Sequence, residues 1–209
     1  MSKEFYIIVN SLFDDSSFGY GEQISENFNT GKAQFCEGCN LPVSMLKWLP
    51  PYEIKVSKKE LGDFIFGTYT GFINSMKFKV QYEQSNLTGL SGFKEVDVYH
   101  KKKKISESFF YPNIPLINAF VNLELIKFED ENLCDICQKG SSILNHIYSV
   151  VFVNPEMIKE DIFFTTALGQ AHIFVSEKFK EFIDAARFKN IKLLKASDFE
   201  WDSLNPIEY

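Results

Sequence analysis

Four cysteines stand in the sequence as two pairs with the same internal spacing. Cys36 and Cys39 lie in FCEGCN, Cys134 and Cys137 lie in ENLCDICQKG, and the chain has no others. A two-residue gap lets one tight turn present two thiolates to a metal, and a structural zinc site takes four ligands in tetrahedral geometry. The spacing therefore predicts that Cys36, Cys39, Cys134 and Cys137 bind one structural Zn²⁺.

The cysteine pairs leave three other interpretations open. A redox dithiol usually begins a helix in a thioredoxin-like βαβ unit and needs no second pair, and the flanking sequence predicts no such unit. Buried thiols without metal are an alternative, because the 94 residues between the pairs far exceed the gap of a compact zinc ribbon. A catalytic zinc site keeps an open position and usually includes histidine or carboxylate. The nearby His146 and His172 are interpreted as core or surface residues.

The sequence lacks the common signatures of catalysis. It has no glycine-rich phosphate loop ending in Lys-Ser/Thr, no GxGxxG after a strand, no His-Glu-x-x-His and no Gly-x-Ser-x-Gly. Asp63 and Asp161 recur at equivalent places and are candidates for paired catalytic carboxylates. Capping of a turn or strand start explains their recurrence equally well and is the preferred interpretation. We therefore expect a protein without enzymatic activity.

The cysteine pairs belong to a longer pattern that occurs twice. Asp63 follows Cys36 by 27 positions and Asp161 follows Cys134 by 27, and each aspartate opens a related string, DFIFGTYTG or DIFFTTALG. The strings SMKFK and SEKFK come next, with an offset of 98 residues up to the glycines and 101 from the serines. This order predicts an internal duplication, with halves of approximately 1–105 and 115–209 in one compact domain, 1–209.

These elements predict an α+β fold of two similar mixed α/β half-units, bridged by a zinc-ribbon-like four-cysteine site. Ser176 is positioned to cap a helix in EKFKEFIDAARF, where apolar residues recur with helical spacing. Ser75 is expected to begin the corresponding helix of the first half. The segments VSMLKW and SSILNHI, after the cysteine pairs, are predicted as single helical turns. Strands are predicted in 4–9, 52–57, 63–69, 93–100, 117–128, 147–153, 161–167 and 190–197.

Two irregular segments complete this organisation. In the linker between the halves, Pro112 and Pro115 are expected to break any regular element. The acidic and aromatic tail, 198–209, is predicted to form a strap over the core, with part of a binding surface as the alternative.

Composition excludes several classes of protein. The net charge of −6 disfavours nucleic acid as the main partner, and Lys101–Lys104 is interpreted as a solvated hairpin tip. The 22 Phe and 9 Tyr residues among 209 favour strands and a thick core. The apolar run before Asn10 is too short for a signal peptide, and no run reaches the roughly 20 residues of a membrane span. We expect a cytoplasmic protein with reduced thiols.

The cysteine pairs and their flanks resemble the double-CXXCG family of bacterial immunity-like proteins from polymorphic toxin systems. The resemblance rests on CEGC and CDIC and on the closing string HIFVSEKFKEFIDAARFKNIKLL, and it covers about 36–195. Asn40 and Gln138 stand where the family has glycine after each second cysteine. Asparagine tolerates the left-handed conformation of such a turn better than glutamine does, and Gly140 is expected to relieve the second turn instead.

The resemblance implies a non-enzymatic protein that binds and neutralises a cognate toxin. Acidic charge would suit a basic toxin such as a nuclease. The segments 13–23 and 199–209 are the candidate contact surfaces, because they mix acidic and aromatic residues. A zinc-ribbon nucleic-acid-binding or regulatory module and a thiol-dependent redox protein are the alternatives. No membrane partner is expected, and the sequence does not define the oligomeric state.

Overall fold

The computed structural model describes residues 3–9, 17–24, 26, 28–129, 132–139 and 143–204. Strands predominate in this part of the chain, and two helices accompany them, so the predicted α+β class is confirmed. Within these residues, neither helix is long and apolar enough to cross a membrane. The helices are α1 (Met76–Gln84) and α2 (Glu177–Ala186). The strands are β1 (Phe5–Val9), β2 (Gly21–Gln23), β3 (Asn29–Thr30), β4 (Trp48–Leu49), β5 (Glu53–Val56), β6 (Phe64–Ile65), β7 (Ile73–Ser75), β8 (Ser91–His100), β9 (Lys103–Lys104), β10 (Phe109–Asn113), β11 (Leu116–Ile117), β12 (Ile126–Phe128), β13 (Leu144–Ile147), β14 (Ile162–Thr165), β15 (Gly169–Ser176), β16 (Lys192–Lys195) and β17 (Trp201–Asp202).

The strands of the described residues form two large sheets and two small ones. One large sheet has the order β11-β14-β15-β1-β16. The other has the order β2-β5-β8-β10-β7-β6, with β9 paired to β8. The small sheets are β12-β13-β17 and β3-β4.

Each large sheet contains a strand from outside the half of the chain that supplies its neighbours. β1 lies between β15 and β16 and pairs antiparallel with both, with Phe5 opposite Ser176. β10, from the segment that links the predicted halves, lies between β7 and β8 in the same manner, with Phe109 opposite Ser75. The first strand of the chain is therefore built into a sheet of late strands.

Both helices begin after a serine, as predicted. Ser75 Oγ accepts a hydrogen bond from the amide of Phe78 at 3.2 Å, and Ser176 Oγ accepts one from the amide of Phe179 at 3.3 Å. Each hydroxyl thereby satisfies one of the amides that the first turn of a helix leaves unpaired. The predicted apolar stripe of α2 faces inward, since Phe179 and Ile183 are both buried.

Asp63 and Asp161 hold these two helix starts in place. Asp63 Oδ1 accepts from Ser75 Oγ at 2.8 Å, and Asp161 Oδ1 accepts from Ser176 Oγ at 2.6 Å. The amides of Ser75 and Ser176 donate to the carbonyls of Asp63 and Asp161, each at 2.9 Å. The interpretation of these aspartates as capping residues is confirmed.

The same two aspartates also join distant parts of the chain, in a reciprocal pattern. The amide of Asp63 donates to the carbonyl of Lys189 at 3.0 Å, and the amide of Lys189 donates to Asp63 Oδ2 at 2.9 Å. The amide of Asp161 donates to the carbonyl of Thr88 at 3.1 Å, and the amide of Thr88 donates to Asp161 Oδ2 at 3.0 Å. Lys189 follows α2 and Thr88 follows α1, so each aspartate is bonded to the segment beyond the other aspartate's helix.

An aromatic core lies between α1 and α2. The rings of Phe78 and Phe179 are fully buried, with centroids 6.4 Å apart, and Phe182 meets Phe78 edge-on at 5.9 Å. Phe64 of β6 and Phe164 of β14 belong to the same cluster. Part of the high phenylalanine content is thus accounted for by one cluster that both helices share. Edge-on aromatic pairs contribute about 0.5–1.5 kcal/mol each beyond simple burial.

The single helical turns predicted after each cysteine pair are wrong. Residues 43–47 contain no helix and lead into β4, and Leu144–Ile147 forms β13. Residues 141 and 142 lie outside the described part of the chain. β4 pairs with β3, and β13 pairs with β12 and β17. Hydrogen bonds to these distant partners replace the local bonds of a helix.

Several strand predictions are also wrong in extent. The strand predicted over 117–128 is interrupted by the 3-10 turn Leu123–Leu125, and the one over 147–153 keeps only Ile147 and an isolated bridge at Phe152. Pro112, expected to break any element, lies inside β10. The pairing register between β10 and β8 shifts between Tyr111 and Asn113. Such an irregularity accommodates Pro112, which has no backbone N–H group.

Two surface segments agree with their predictions. Lys101 and Lys102 form the exposed turn between β8 and β9, and Lys104 pairs with Asp97 at 2.5 Å. In the tail, β17 pairs with β13 and Trp201 packs against the core, which is the predicted strap. Residues 205–209 of the tail lie outside the described residues.

Removing a capping hydroxyl should destabilise the fold. We expect Ser176→Ala to lower the free energy of unfolding by about 1–2 kcal/mol, because the amide of Phe179 and the carboxylate of Asp161 each lose a partner. Ser75→Ala should act in the same direction. Urea unfolding followed by circular dichroism gives the values. The exposed Ser106→Ala control should change stability by less than about 0.5 kcal/mol, and equal effects from all three variants would contradict the capping role.

Candidate metal centre

The four cysteine thiols meet at one place, although the pairs are far apart in the sequence. Sγ of Cys36 lies 3.8 Å from Sγ of Cys134, and Sγ of Cys39 lies 3.8 Å from Sγ of Cys137. All four sulfur atoms lie within 4.8 Å of one another, and none is in a disulfide. A tetrahedron with Zn–S bonds of about 2.3 Å has edges of about 3.8 Å. The thiols are therefore spaced to bind one tetrahedral metal ion.

The backbone presents each pair of thiols in the same way. The amide of Cys36 donates to the carbonyl of Leu41 at 2.9 Å, and the amide of Asn40 donates back to the carbonyl of Cys36 at 2.9 Å. In the second turn, the amide of Cys134 donates to the carbonyl of Lys139 at 3.0 Å, and the amide of Gln138 donates to the carbonyl of Cys134 at 2.7 Å. Each turn is thus closed by a reciprocal pair of backbone hydrogen bonds.

Asn40 and Gln138 both adopt the left-handed conformation, with φ of 56° and 54°. A glutamine in this conformation is sterically strained. The sequence predicted that Gly140 relieves this turn, and Gly140 lies outside the described residues. The side chain of Gln138 gains two hydrogen bonds in compensation. Its Oε1 accepts from the amide of Val121 at 2.7 Å, and its Nε2 donates to the carbonyl of Val121 at 3.0 Å.

Contacts outside the sulfur atoms also connect the two turns. Lys139 Nζ, from the second turn, donates to the carbonyl of Pro42 beyond the first turn at 3.2 Å. The side chain of Ile136 lies over Gly38, so close that a Cβ added to Gly38 would stand 2.7 Å from Ile136 Cδ1. The turns therefore face each other directly. Sequence reasoning missed the side-chain hydrogen bonds of Gln138 and Lys139 because their partners, Val121 and Pro42, are distant in the chain.

The four thiols differ in their electrostatic environment. Hydrogen bonds from the backbone amides of Cys39 and Gly38 lower the pKa of Cys36 to about 7. Burial raises the pKa of Cys137 to about 12, so its thiol holds its proton at neutral pH in the absence of a cation. Binding of a metal cation to four thiolates must therefore release protons. It follows that the affinity for the metal falls as the pH falls.

The donor set determines what the centre can do chemically. Thiolates are soft ligands, which suit zinc, copper(I) and iron–sulfur chemistry. With a tetrahedral ion bound, four protein thiolates fill the coordination shell and leave no position for water or a substrate. That arrangement is typical of structural metal sites.

The two histidines considered in the sequence do not belong to the cysteine cluster. His146 Nε2 lies 2.9 Å from Glu200 Oε1, and its ring stacks on Tyr148 with centroids 4.0 Å apart. The ring of His172 packs edge-on against Phe199 at 5.0 Å, and burial lowers the pKa of His172 to about 4. The interpretation of both histidines as core or surface residues is confirmed.

No family model matches the chain, and no curated protein matches its sequence. The resemblance to the double-CXXCG family therefore stays a prediction.

Metal content tests the centre directly. We expect one metal ion per chain in protein purified without chelator, and its loss in Cys134→Ser together with a large fall in the melting temperature, because three thiolates hold the ion less tightly. Elemental analysis and a thermal melt measure both. Asp135→Asn, an exposed change between the two cysteines, is the matched control and should keep the metal. Wild-type protein that is stable and metal-free would contradict a structural metal.

The two left-handed positions make a second, matched test. We expect Gln138→Gly to lower the free energy of unfolding by about 1–3 kcal/mol, because both hydrogen-bonding groups of the buried Val121 backbone lose their partner. Asn40→Gly should change it by less than about 0.5 kcal/mol, since glycine accepts the same conformation. Chemical unfolding of metal-loaded protein measures the difference. Similar values for the two variants would show that the Gln138 side chain has no special role.

Proposed function

We propose that this protein is a zinc-stabilised immunity protein, which binds a cognate bacterial toxin and has no enzymatic activity of its own. The observation that carries the proposal is the cluster of four cysteine sulfur atoms within 4.8 Å, supplied by two turns that lie far apart in the sequence. Such a centre supports a rigid binding surface. We place the protein in the cytoplasm, where reduced thiols persist.

Zinc is the proposed metal because four thiolates in tetrahedral spacing are a common ligand set of structural zinc sites. Zn²⁺ has no redox chemistry, so it would stabilise the turns without making them reactive. In zinc-finger peptides the apparent binding free energy is about 10–16 kcal/mol at neutral pH. A comparable binding free energy in this protein would hold the Cys36–Cys39 turn against the Cys134–Cys137 turn.

We further propose that the chain is an internal repeat whose units exchange a strand. Pairs of corresponding residues support this, because their separations match the two offsets of the repeated strings, 98 and 101 residues. Cys36 and Cys134 differ by 98 positions, and Thr88 and Lys189, which bond to the two aspartates, differ by 101. Strands β10 and β1 also take equivalent places beside β7 and β15. A pseudo-twofold axis near the metal centre would relate the units.

A binding role is supported by charge and by the closed metal shell. The net charge of −6 would favour rapid association with a basic toxin such as a nuclease. A four-thiolate shell offers no metal position to a substrate. The similarity of CEGC and CDIC to the double-CXXCG pattern supports the same role.

The two proposed contact segments are 13–23 and 199–209. Of their aromatic residues Tyr20 and Trp201, Tyr20 is the better candidate for an interface anchor. Its side chain is 45% exposed, and interface anchors are often tyrosines. Residues 13–16 of that segment lie outside the described residues. In the tail segment, the ring of Trp201 packs against the core and is only partly available to a partner.

Coexpression with the toxin domain encoded directly upstream of this chain's gene tests the immunity role. We expect rescue of growth and a stoichiometric complex on size-exclusion chromatography. Tyr20→Ala should weaken the complex, because it removes an exposed aromatic anchor. Tyr148→Ala, also exposed, is the matched control and should bind normally. A gene without a neighbouring toxin, or neither rescue nor complex, would contradict the immunity role while leaving the metal centre to its own test.

A further inference from the structure

A cavity of about 340 Å³ opens between the first cysteine turn and strand β10. Lys32, Gln34 and residues 44–47, on either side of that turn, form one wall, and residues 111–116 form another. Gln170 of β15 also lines it, and the amide of Met45 donates to Gln170 Oε1 at 2.6 Å, which ties two walls together. Small-ligand pockets span about 300–1,000 Å³, so this volume suits a compact ligand.

The lining of this cavity is basic, although the chain as a whole is acidic. Lys32 and Lys47 are its charged residues, and no carboxylate lines it in the described part of the chain. Among the described residues, neither lysine forms an ion pair. The two lie on adjoining segments, because the amide of Gly31 donates to the carbonyl of Lys47 at 2.7 Å.

Lys94 adds a third cation, which contacts two of the residues that line the cavity. Its Nζ donates to Asn113 Oδ1 at 2.6 Å and lies 5.4 Å from the ring centroid of Tyr111, and both of these residues line the cavity. Burial and the positive charge of Lys47 lower the pKa of Lys94. Like charges therefore lie near one another here with no carboxylate in the cavity wall, and a bound anion would offset their repulsion.

We propose that this cavity binds the phosphate group of a small phosphorylated compound, held between Lys47 and Lys94 with Lys32 as a further cation. Lysine ammonium groups are frequent point-charge partners of phosphate. The side chains of Gln34 and Ser91 supply polar groups for the remainder of the ligand. None of the four cysteines lines this cavity, and the proposal does not depend on the immunity role.

Isothermal titration calorimetry of the full chain at constant ionic strength tests the site, with inorganic phosphate and glycerol phosphate as probes. We expect saturable binding of one probe molecule per chain. Lys47→Gln and Lys94→Met should each raise the Kd at least tenfold, because each removes a cation from the cavity. Lys94→Met keeps an apolar stem beside Tyr111, and melting curves without phosphate verify that both variants are folded.

Lys102→Gln is the matched control. It removes the same charge beyond the far end of β8, more than about 20 Å from Lys94 at roughly 3.3 Å per strand residue, and should leave the Kd within twofold. The absence of saturable binding, or equal weakening by all three variants, would overturn the proposal. If Lys94→Met does not fold, Lys47→Gln alone decides, because the Lys47 side chain is exposed.

Discussion

The meeting of four thiols from two distant turns is the constraint on which the rest of this architecture depends. All four sulfur atoms lie within 4.8 Å, although 94 residues separate Cys39 from Cys134. Bringing the ends of so long a segment together costs chain entropy that grows slowly with length, so the closure must be secured by contacts elsewhere. The reciprocal hydrogen bonds of Asp63 and Asp161 supply such contacts at a second place.

Crossed connections make the two halves structurally interdependent. β1 is surrounded by late strands, β10 completes the sheet of early strands, and the aromatic rings of α1 and α2 share one core. The sheet that contains β1 therefore combines strands from both ends of the chain, whereas the strands of the other large sheet all lie within residues 21–113. The basic cavity beside the first cysteine turn is a product of the same arrangement, because its walls come from both sides of the molecule.

Sequence patterns were reliable where near neighbours decide the conformation. The serine caps, the inward stripe of α2 and the lysine-rich hairpin turn depend on residues a few positions apart, and each was predicted. The patterns failed in 43–48, 117–128 and 147–153, where local apolar spacing suits more than one element. In these segments, whether a neighbouring strand was available for pairing decided the conformation.

By itself, the sequence determined the four candidate cysteine ligands and the capped starts of both helices, because a two-residue gap and an N-cap hydroxyl act within one turn. Only the tertiary structure decided that Gln138 takes a left-handed conformation secured by Val121. It also decided that Asp63 and Asp161 bond across the molecule, and that Lys94 bonds to Asn113 in the wall of the cavity that Lys47 lines. These contacts join residues far apart in the chain, and no local pattern encodes their geometry.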